Sequence, residues 1–466
     1  MSFDSLTFFL IYCVVFFLYR VLRQRLPQFL APLFLVTSIV CYAMAGWGDL
    51  ILISSVLAVN YLLSFGVKDR RILTLTLIFN IACLATFKYR TFFLNEMGIN
   101  QDVFSSNIII PLGISFYIFH IIAYQVDLYR GHTKFISGFA KFSLFVVFFP
   151  QLIAGPILRA NQLAPQLERV WKGKPPIKRL YAYGLILCLC GLAKKIILAD
   201  SIFPAVDIAF SQLPSQTWVA WQGATLFGFQ LYFDFSGYSD IAIGLAYLVG
   251  IRLPNNFRTP YLSLGPSEFW QRWHITLSRW IRDYLYIPLG GSKKGGLFRQ
   301  LLILILVMSL AGLWHGANWT FILWGFGWGI YCAFERLLLK IYPNLYNNFK
   351  PFFVIFNLAV VFVLLVWFRS PNASYALDYT KILFGFGVNA PLKPSEVWFS
   401  SMWSLPLTFS VLLLLHILER YADRPQVLWK LKKWNGPFLW SLLGALCFWL
   451  VMIPKMNVNP FIYFRF

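Results

Sequence analysis

The chain has 466 residues, of which 59% are hydrophobic and 12% are charged, and its mean hydropathy is +0.66. A soluble domain carries about a quarter charged residues, so the composition excludes that class and indicates an integral membrane protein. The formal net charge of +22 is spread over short loops between apolar runs. This is typical of positive-inside topology and of contact with anionic membrane lipids, and we expect no nucleic-acid partner.

Apolar runs of helical length recur from one end of the sequence to the other. A membrane-spanning helix needs roughly 20 such residues, and the lower limit is about 17. We therefore predict an all-α polytopic membrane protein with about ten to twelve transmembrane helices, some short or re-entrant, in a single domain over residues 1–466. The runs lie near residues 5–19, 28–45, 49–66, 72–87, 107–126, 180–199, 217–250, 300–334, 352–368, 402–418 and 437–453.

The first run, Leu6 to Tyr19, has no basic flank before it and no small-residue cleavage site after it. It is therefore interpreted as a membrane helix, not as a removable signal peptide. Basic loops at 20–25, 68–71 and 130–141 are separated by pairs of apolar runs. Because basic loops stay on the cytoplasmic side, this alternation predicts an N-terminus outside the cytoplasm.

The seven cysteines lie mainly in apolar runs, and none has metal-ligand spacing. We expect no metal site and no disulfide framework, since buried cysteine commonly acts as a small hydrophobic residue.

The polar stretch near residues 266–287 predicts an interfacial amphipathic helix. Pro266 and Glu268 favour a helix start, and Pro288 followed by two glycines ends it. His274 lies beside the apolar stripe, so we expect its ring to face inward, although an interfacial anchor with an incidental histidine is the alternative. The apolar stripe comprises Phe269, Trp270, Trp273, Leu277, Trp280, Ile281 and Tyr284, and the polar face comprises Arg272, Thr276, Arg279 and Asp283, with Glu268–Arg272 and Arg279–Asp283 as i,i+4 pairs.

His315 lies within an apolar region, near residues 311–325, that is interrupted by two glycines and Asn318. The run from Leu301 to Trp314 climbs roughly 21 Å, short of a hydrocarbon core of about 30 Å. The sequence therefore predicts two short helices that meet at a break within the membrane, with the histidine at the break.

An ionisable group at this depth usually marks a functional path. A neutral imidazole in such a cavity is suited to accept a proton from a hydroxyl, and Asn318 is placed to orient the imidazole or a substrate. The alternative is a core histidine bonded to a helix carbonyl. The sequence contains no nucleophile elbow and no metal motif, so it favours proton transfer over covalent or metal chemistry.

The central motifs resemble those of the membrane-bound O-acyltransferase family, in its bacterial polysaccharide branch, which includes alginate O-acetyltransferases and the membrane protein of teichoic acid D-alanylation. The similarity is carried by PSEFWQRWHITLSRWIRDYLYIPLGG and GLWHGANWTFILWG, and extends from about residue 110 to the end. The other matching stretches are ISFYIFHIIAYQVDLYRG (114–131), FFPQLIAGPILR (148–159), QLYFDFSGYSDIAIG (230–244) and FIYFRF (461–466).

The resemblance implies a ring of membrane helices around a thin central region crossed by a tunnel, in a bacterial inner membrane. It implies that His315 is the catalytic histidine and His274 the second motif histidine, and we expect Trp314 and Trp273 to contact substrate. It implies no permanently bound cofactor, an acyl thioester donor on the cytoplasmic side (acetyl-CoA or an acyl carrier protein), and an acceptor hydroxyl reached from the other side.

Basic side chains around the predicted interfacial helix are candidates to hold donor phosphates or an acidic carrier protein. The alternative is ordinary cytoplasmic charge. These residues are Arg258, Arg272, Arg279, Arg282, Lys293 and Lys294.

The loop PNNFRTPY (254–261) either shapes the donor entrance or makes a tight connection. Asp234, Asp240 and Asp127 are interpreted as structural acids that pair with a nearby arginine, because a thiolate leaving group needs no general acid.

The resemblance implies that Tyr463, in the terminal FIYFRF, is a candidate acyl relay, and a base-assisted phenol is a plausible acceptor. Interfacial anchoring by the aromatic residues is the alternative. An esterase-like periplasmic or extracellular acetyltransferase is the partner we expect to complete delivery.

Together these features predict an O-acyltransferase, with acetyl as the expected group, that serves an exported or cell-surface polysaccharide. The alternatives are D-alanyl transfer from a carrier protein to a cell-wall polymer, a non-catalytic acyl or lipid transporter, and a non-enzymatic scaffold of an export complex.

Overall fold

A computed structural model of the chain describes residues 5–99, 110–151, 155–174, 181–291, 296–347, 349–386, 390–397, 405–422 and 437–452. These residues form helices and their connections, with no β-strand among them. Every apolar run of the sequence contains at least one helix, which confirms the predicted all-α class.

The longer helices, in chain order, are α1 (Leu6–Arg25), α2 (Leu30–Ala43), α3 (Trp47–Ser64), α4 (Arg70–Leu84), α5 (Arg90–Glu96), α6 (Ile114–Tyr129), α7 (Phe139–Val147), α8 (Ala160–Trp171), α9 (Tyr181–Leu192), α10 (Asp200–Ser211), α11 (Thr217–Leu248), α12 (Pro266–Arg272), α13 (Ile275–Ile281), α14 (Leu297–His315), α15 (Trp319–Ile341), α16 (Lys350–Arg369), α17 (Ala373–Leu383), α18 (Leu405–Ala422) and α19 (Pro437–Met452). Segments Ala85–Tyr89, Ala193–Ala199 and Arg282–Tyr286 are π-helical.

Six helical segments of the described residues are long and apolar enough to cross a membrane, which agrees with a multi-pass membrane protein. Shorter apolar helices cover Pro27–Ala43, Phe139–Gln151 and Phe409–Glu419. The six segments are Thr7–Arg25, Trp47–Ser64, Arg70–Glu96, Leu297–His315, Trp319–Ile341 and Lys350–Arg369.

Internal contacts group the chain into two compact units. The first comprises residues 1–192, 238–255 and 431–454, and the second comprises residues 193–237, 256–430 and 455–466. Both motif histidines belong to the second unit.

In the first unit, α2 packs against α3, α7 and α8, and α4 packs against α6. Three of its buried side-chain amides are hydrogen-bonded: the Asn60 and Asn80 amides exchange hydrogen bonds of 3.2 and 2.7 Å, and the Gln125 amide donates to the Asn60 carbonyl at 2.8 Å. Such pairing removes the cost of burying an amide in an apolar environment. Helices α7 and α8 were not predicted from the sequence, since both are shorter than a membrane span.

The second unit is built around an antiparallel hairpin of α14 and α15, which are 19 and 23 residues long. At 1.5 Å per residue these helices measure about 28 and 34 Å, so the prediction of two short helices is wrong. The apolar run from Leu301 to Trp314 covers only part of α14, which begins at Leu297 and includes Arg299. Helix α15 likewise continues through Glu335 and Arg336. The predicted break itself is confirmed at Gly316–Asn318.

Glycines allow the two hairpin helices to approach closely. A Cβ at Gly312 would overlap the carbonyl oxygen of Phe321, and one at Gly325 would overlap the carbonyl oxygen of Met308. Small residues at helix interfaces have this role in membranes. The hairpin therefore depends on the glycines that interrupt the apolar sequence.

The predicted helix at 266–287 is not continuous. It divides into α12, α13 and the π-helical segment, because Trp273 is extended and His274 is left-handed, with φ 41° and ψ 54°. The loop before it supplies the backbone partners at the break: the Arg258 N–H donates to the Arg272 carbonyl and the Ile275 N–H donates to the Asn256 carbonyl, both at 2.9 Å.

The break also changes which side chains face inward. Thr276, assigned to the polar face, is buried, and its hydroxyl donates to the Asn256 side chain at 3.0 Å. The Glu268–Arg272 pair is confirmed at 2.5 Å, and Asp283 pairs with its neighbour Arg282 at 2.7 Å.

Candidate active site

His315 is the last residue of α14 and lies at the turn of the hairpin. The turn is fixed by Asn318, whose side-chain oxygen accepts from the Thr320 N–H at 3.0 Å, while its amide donates to the Pro371 carbonyl at 3.1 Å. An Asn at this position is a good N-cap. The turn therefore holds the histidine at a defined place.

Aromatic rings surround the His315 imidazole, which is 4% exposed. The ring centroids of Trp314, Trp324 and Phe368 lie 4.8, 5.0 and 5.3 Å from the imidazole centroid. All three rings are tilted by more than 70° from the imidazole plane. The cage limits rotation of the imidazole ring and so holds it in a defined position.

His315 nevertheless opens onto a cavity of about 400 Å³ within the second unit. One face of α14 lines the cavity from Leu304 to His315, a rise of about 16 Å. The remaining α14 residues on this face are Val307, Met308 and Ala311, and α12, α13 and α15 supply the other walls. The cavity is thus an elongated, mostly apolar channel that reaches the imidazole.

Polar residues line the end of this cavity away from His315. Arg336 donates to the Tyr286 hydroxyl at 2.7 Å and to the Gln300 side chain at 2.8 Å. Arg282 also lines the cavity, and its side chain is 60% exposed. Cationic groups at one end and an imidazole at the other suit an elongated ligand with a negatively charged end.

Glu335, also on the cavity wall, is buried and fully engaged. It accepts from the Ser267 N–H at 3.0 Å, from the Ser267 hydroxyl and from the Tyr346 hydroxyl at 2.6 Å. These bonds tie α12 to α15, so this carboxylate shapes the cavity wall and is not an obvious proton acceptor.

His274 is fully buried and lies near the same aromatic group. Its ring centroid is 6.3 Å from Trp314, 4.7 Å from Phe235 and 6.4 Å from Phe257. Neither ring nitrogen has a hydrogen-bond partner among the described residues. Burial lowers the pKa of His274 to about 3, so the imidazole is neutral at physiological pH. Trp314 therefore contacts the rings of both motif histidines.

Other predicted site residues lie elsewhere in the second unit. Trp273 packs among Tyr232, Phe257, Tyr261 and Phe269, with ring centroids 5.2 to 6.2 Å away. The substrate contacts predicted for Trp273 and Trp314 stay predictions.

Of the predicted basic residues, Arg282 lines the cavity that contains His315, whereas Arg258, Arg272 and Arg279 are not among its lining residues. Arg272 is bound to Glu268 and donates to the Thr259 carbonyl at 3.4 Å. The predictions for Lys293, Lys294 and Tyr463 lie outside the described residues.

Sequence reasoning missed the cavity residues Arg336 and Tyr286. It also missed Trp324 and Phe368, whose rings pack against the His315 imidazole. The signal for Arg336 was present, since a charged residue follows an apolar run there, but it was interpreted only as a helix end. Phe368 comes from α16 and lies more than fifty positions after His315 in the sequence. No local pattern therefore links the two residues.

The buried acids have structural partners. Asp234 pairs with Lys195 at 2.8 Å, and Lys195 also bonds Asp200 at 2.7 Å. The predicted arginine partner of Asp234 is therefore a lysine. Asp127 lies 3.8 Å from the Nδ1 of His132, and Asp240 is half-buried.

The loop at 254–261 makes a tight connection. Its Asn256 holds the break between α12 and α13, and the Tyr261 hydroxyl donates to the Gly228 carbonyl at 2.5 Å. No residue of this loop lines the cavity, so the structure gives it a bracing role.

Known proteins that are similar to this chain carry the names of acetyl and D-alanyl transferases. A probable alginate O-acetylase of Azotobacter vinelandii is 38% identical over 409 residues, which cover 84% of this chain and 80% of that protein. A peptidoglycan O-acetyltransferase of Helicobacter pylori is 37% identical over 349 residues, covering 67% of this chain and 64% of that protein. A teichoic acid D-alanyltransferase of Bacillus subtilis is 30% identical over 230 residues, covering 47% and 57%.

The family model described as MBOAT, membrane-bound O-acyltransferase family, matches residues 32–373. The similarity therefore starts well before residue 110, where the motifs alone had placed its beginning. It includes the hairpin, both motif histidines and most of the helices of the first unit. The chain belongs to the membrane-bound O-acyltransferase family.

Proposed function

We propose that this protein is a membrane O-acetyltransferase that modifies a polysaccharide. The observation that carries the proposal is the opening of the buried His315 onto an elongated cavity with arginines at its far end. The names of the relatives, alginate O-acetylase and peptidoglycan O-acetyltransferase, support the acetyl group and the polysaccharide acceptor.

In the proposed reaction, His315 acts as the general base. Its imidazole accepts the proton of the acceptor hydroxyl as that oxygen forms a bond to the thioester carbonyl carbon. The carbon–sulfur bond breaks, and the leaving thiolate takes the proton from the imidazolium. The aromatic cage supports this role, because it holds the imidazole in a fixed orientation toward the reacting groups.

The donor occupies the cavity in this proposal. Its acyl thioester lies near His315, and its phosphate-bearing end lies near Arg282 and Arg336. Acetyl-CoA and an acyl carrier protein both have this chemistry, since each ends in a thiol on a long arm that carries phosphate. Arg258, Arg272 and Arg279 are proposed to contact the body of the donor outside the cavity.

His274 and Trp314 complete the site. His274 is proposed as a positioning residue that acts through the Trp314 ring, because its left-handed backbone and buried ring fix the α12–α13 break beside the cavity. Asn318 is proposed to act through the turn that it caps.

The finer architecture is also a proposal. We infer ten to twelve helices in a ring around a thin, tunnelled centre, in a bacterial inner membrane, with the N-terminus outside the cytoplasm. The alternating basic loops support that orientation. Reporter fusions at residues 27, 69 and 132 test it: all three positions should be cytoplasmic, and a periplasmic signal from any one contradicts the proposed topology.

Delivery to the polymer is proposed to involve Tyr463 as an acyl relay and an esterase-like partner outside the cytoplasm. Tyr463→Phe should abolish polysaccharide acetylation in cells and leave donor binding unchanged. Full acetylation by Tyr463→Phe refutes the relay, and Tyr342→Phe serves as the control on an exposed tyrosine.

One relative favours a second candidate, transfer of D-alanine from a carrier protein to a cell-wall polymer. Purified protein should therefore be offered acetyl-CoA, an acetylated carrier protein and a D-alanylated carrier protein. Preferential turnover of the D-alanyl donor supports the second candidate over the first.

The central experiment compares wild type with His315→Gln. Loss of one general base should slow thioester turnover by about 10²–10⁴-fold. Trp319→Phe, on an exposed neighbour in the same motif, is the control that should stay active. Full turnover by His315→Gln contradicts the general-base role of His315. Acyl transport without thioester turnover by wild type favours a transporter, and partner binding with no turnover by wild type favours a scaffold.

A further inference from the structure

A second cavity lies in the first unit, distant in sequence from both motif histidines. It has a volume of about 480 Å³ and lies between the loop at residues 131–138 and helix α8. The residues that bring polar chemistry to its walls are His132, Thr133, Lys134, Lys141, Asn161 and Glu168.

The loop that forms one wall is held in place by the rest of the unit. The Asp127 carbonyl accepts from the His132 N–H at 2.8 Å, and the Tyr124 hydroxyl accepts from the Ile136 N–H at 3.0 Å. The Phe135 ring packs 4.9 Å from the Phe65 ring. A wall that is already ordered loses little entropy when a ligand binds.

The opposite wall is the polar side of an amphipathic helix. Leu163, Leu167 and Val170 of α8 are buried, whereas Asn161 and Glu168 line the cavity.

The charges in this cavity do not balance. Glu168 forms ion pairs with Lys141 at 2.9 Å and with Lys172 at 3.3 Å, so one carboxylate neutralises only one of two ammonium groups. Hydrogen bonds and ion pairs with both lysines lower the pKa of Glu168 despite its partial burial, so it stays ionised. Lys134 has no ion-pair partner within the described residues, and His132 faces Asp127 at 3.8 Å. The net charge of these side chains is therefore positive. Asn161 and the hydroxyl of Thr133 add hydrogen-bond donors.

We propose that this cavity binds the headgroup of an anionic phospholipid. A phosphodiester offers one negative charge and several acceptor oxygens, which match Lys134, Asn161 and Thr133. Exposed aromatic side chains beside the cavity, Phe65 and Phe139 at 64% and 44% exposure, favour a lipid over free phosphate, because they give the acyl chains an apolar surface. The loop is also predicted to face the cytoplasm, where basic pockets between membrane helices recognise such headgroups.

The test uses the full chain purified in detergent. Short-chain phosphatidylglycerol, phosphatidylcholine with the same chains, and inorganic phosphate are titrated separately, and bound lipid is read by native mass spectrometry alongside the melting temperature. Wild type should bind phosphatidylglycerol more tightly than phosphatidylcholine, and Lys134→Ala should weaken phosphatidylglycerol binding about five-fold.

Two controls make the outcome decisive. Lys350→Ala removes an exposed lysine outside the cavity and should bind as wild type does, and Lys134→Arg should retain binding. Equal affinity for the two lipids, an unchanged affinity in Lys134→Ala, or full displacement of phosphatidylglycerol by millimolar inorganic phosphate overturns the proposal.

Discussion

His315 and Arg336 line the same cavity, although 21 positions separate them in the sequence. The α15 helix carries the chain from the turn beside His315 to Arg336, a rise of about 25 Å from Trp319. One cavity thus connects a buried imidazole with a cationic end, and this relationship sets the first prediction.

Arg336→Ala should weaken donor binding. Loss of a charge-assisted contact to the donor, worth about 1.5–3 kcal/mol, should raise the KM for the thioester at least ten-fold with a smaller effect on kcat. Steady-state kinetics with purified protein measure both. Arg299→Ala is the matched control, since Arg299 is exposed and does not line the cavity. An unchanged KM in Arg336→Ala would place the donor elsewhere.

Trp314→Ala should act mainly on kcat. The Trp314 ring contacts both motif histidines, so its loss frees the His315 imidazole from a fixed orientation, and misplacement of a catalytic group by about 1 Å costs up to 100-fold. Trp314→Phe should recover part of the rate. Trp319→Ala, on an indole that is 49% exposed, is the comparison, and an equal loss there would indicate a general effect on folding.

Gly325→Ala should destabilise the hairpin. The new methyl group would overlap the carbonyl oxygen of Met308, and overpacking of this kind costs about 1–3 kcal/mol. Thermal unfolding in detergent should show a lower midpoint. Gly48→Ala is the control, because a Cβ there meets nothing within 4 Å and alanine favours a helix. A Gly325→Ala midpoint at or above that of wild type would contradict the close helix contact.

Stability should fall as the pH drops below about 6.5, in part because of His274. Its pKa in the folded protein is lowered to about 3 by burial, so the unfolded chain takes up a proton that the folded protein excludes. The loss should approach about 1.4 kcal/mol per pH unit between the unfolded value and the folded value. Melting temperatures of wild type and His274→Gln at pH 7.5 and 5.5 measure it.

The pH-dependent part of the loss should be smaller in His274→Gln, since glutamine does not titrate. The same pH slope in wild type and His274→Gln would mean that His274 is hydrated or bonded in solution.

The local pattern of hydropathy was enough to predict the helices that coincide with apolar runs. A run of about 20 apolar residues has few stable conformations in a membrane other than a helix. It also identified His315, since an imidazole within such a run stands out. It missed short helices such as α7, α8, α10 and α17. It also joined α12 to α13, because the backbone bonds that divide them come from Asn256 and Arg258.

The sequence by itself determined the membrane class, the helical content, the break after His315 and the family motifs, since each depends on residues that are neighbours in the chain. Only the tertiary structure decided that His315 and Arg336 line one cavity and that Phe368 packs against His315. It also decided that His274 is left-handed and that both histidines lie beside the Trp314 ring. These relations come from packing between helices far apart in the sequence, and the hydropathy of one segment carries no information about the face that another segment presents to it.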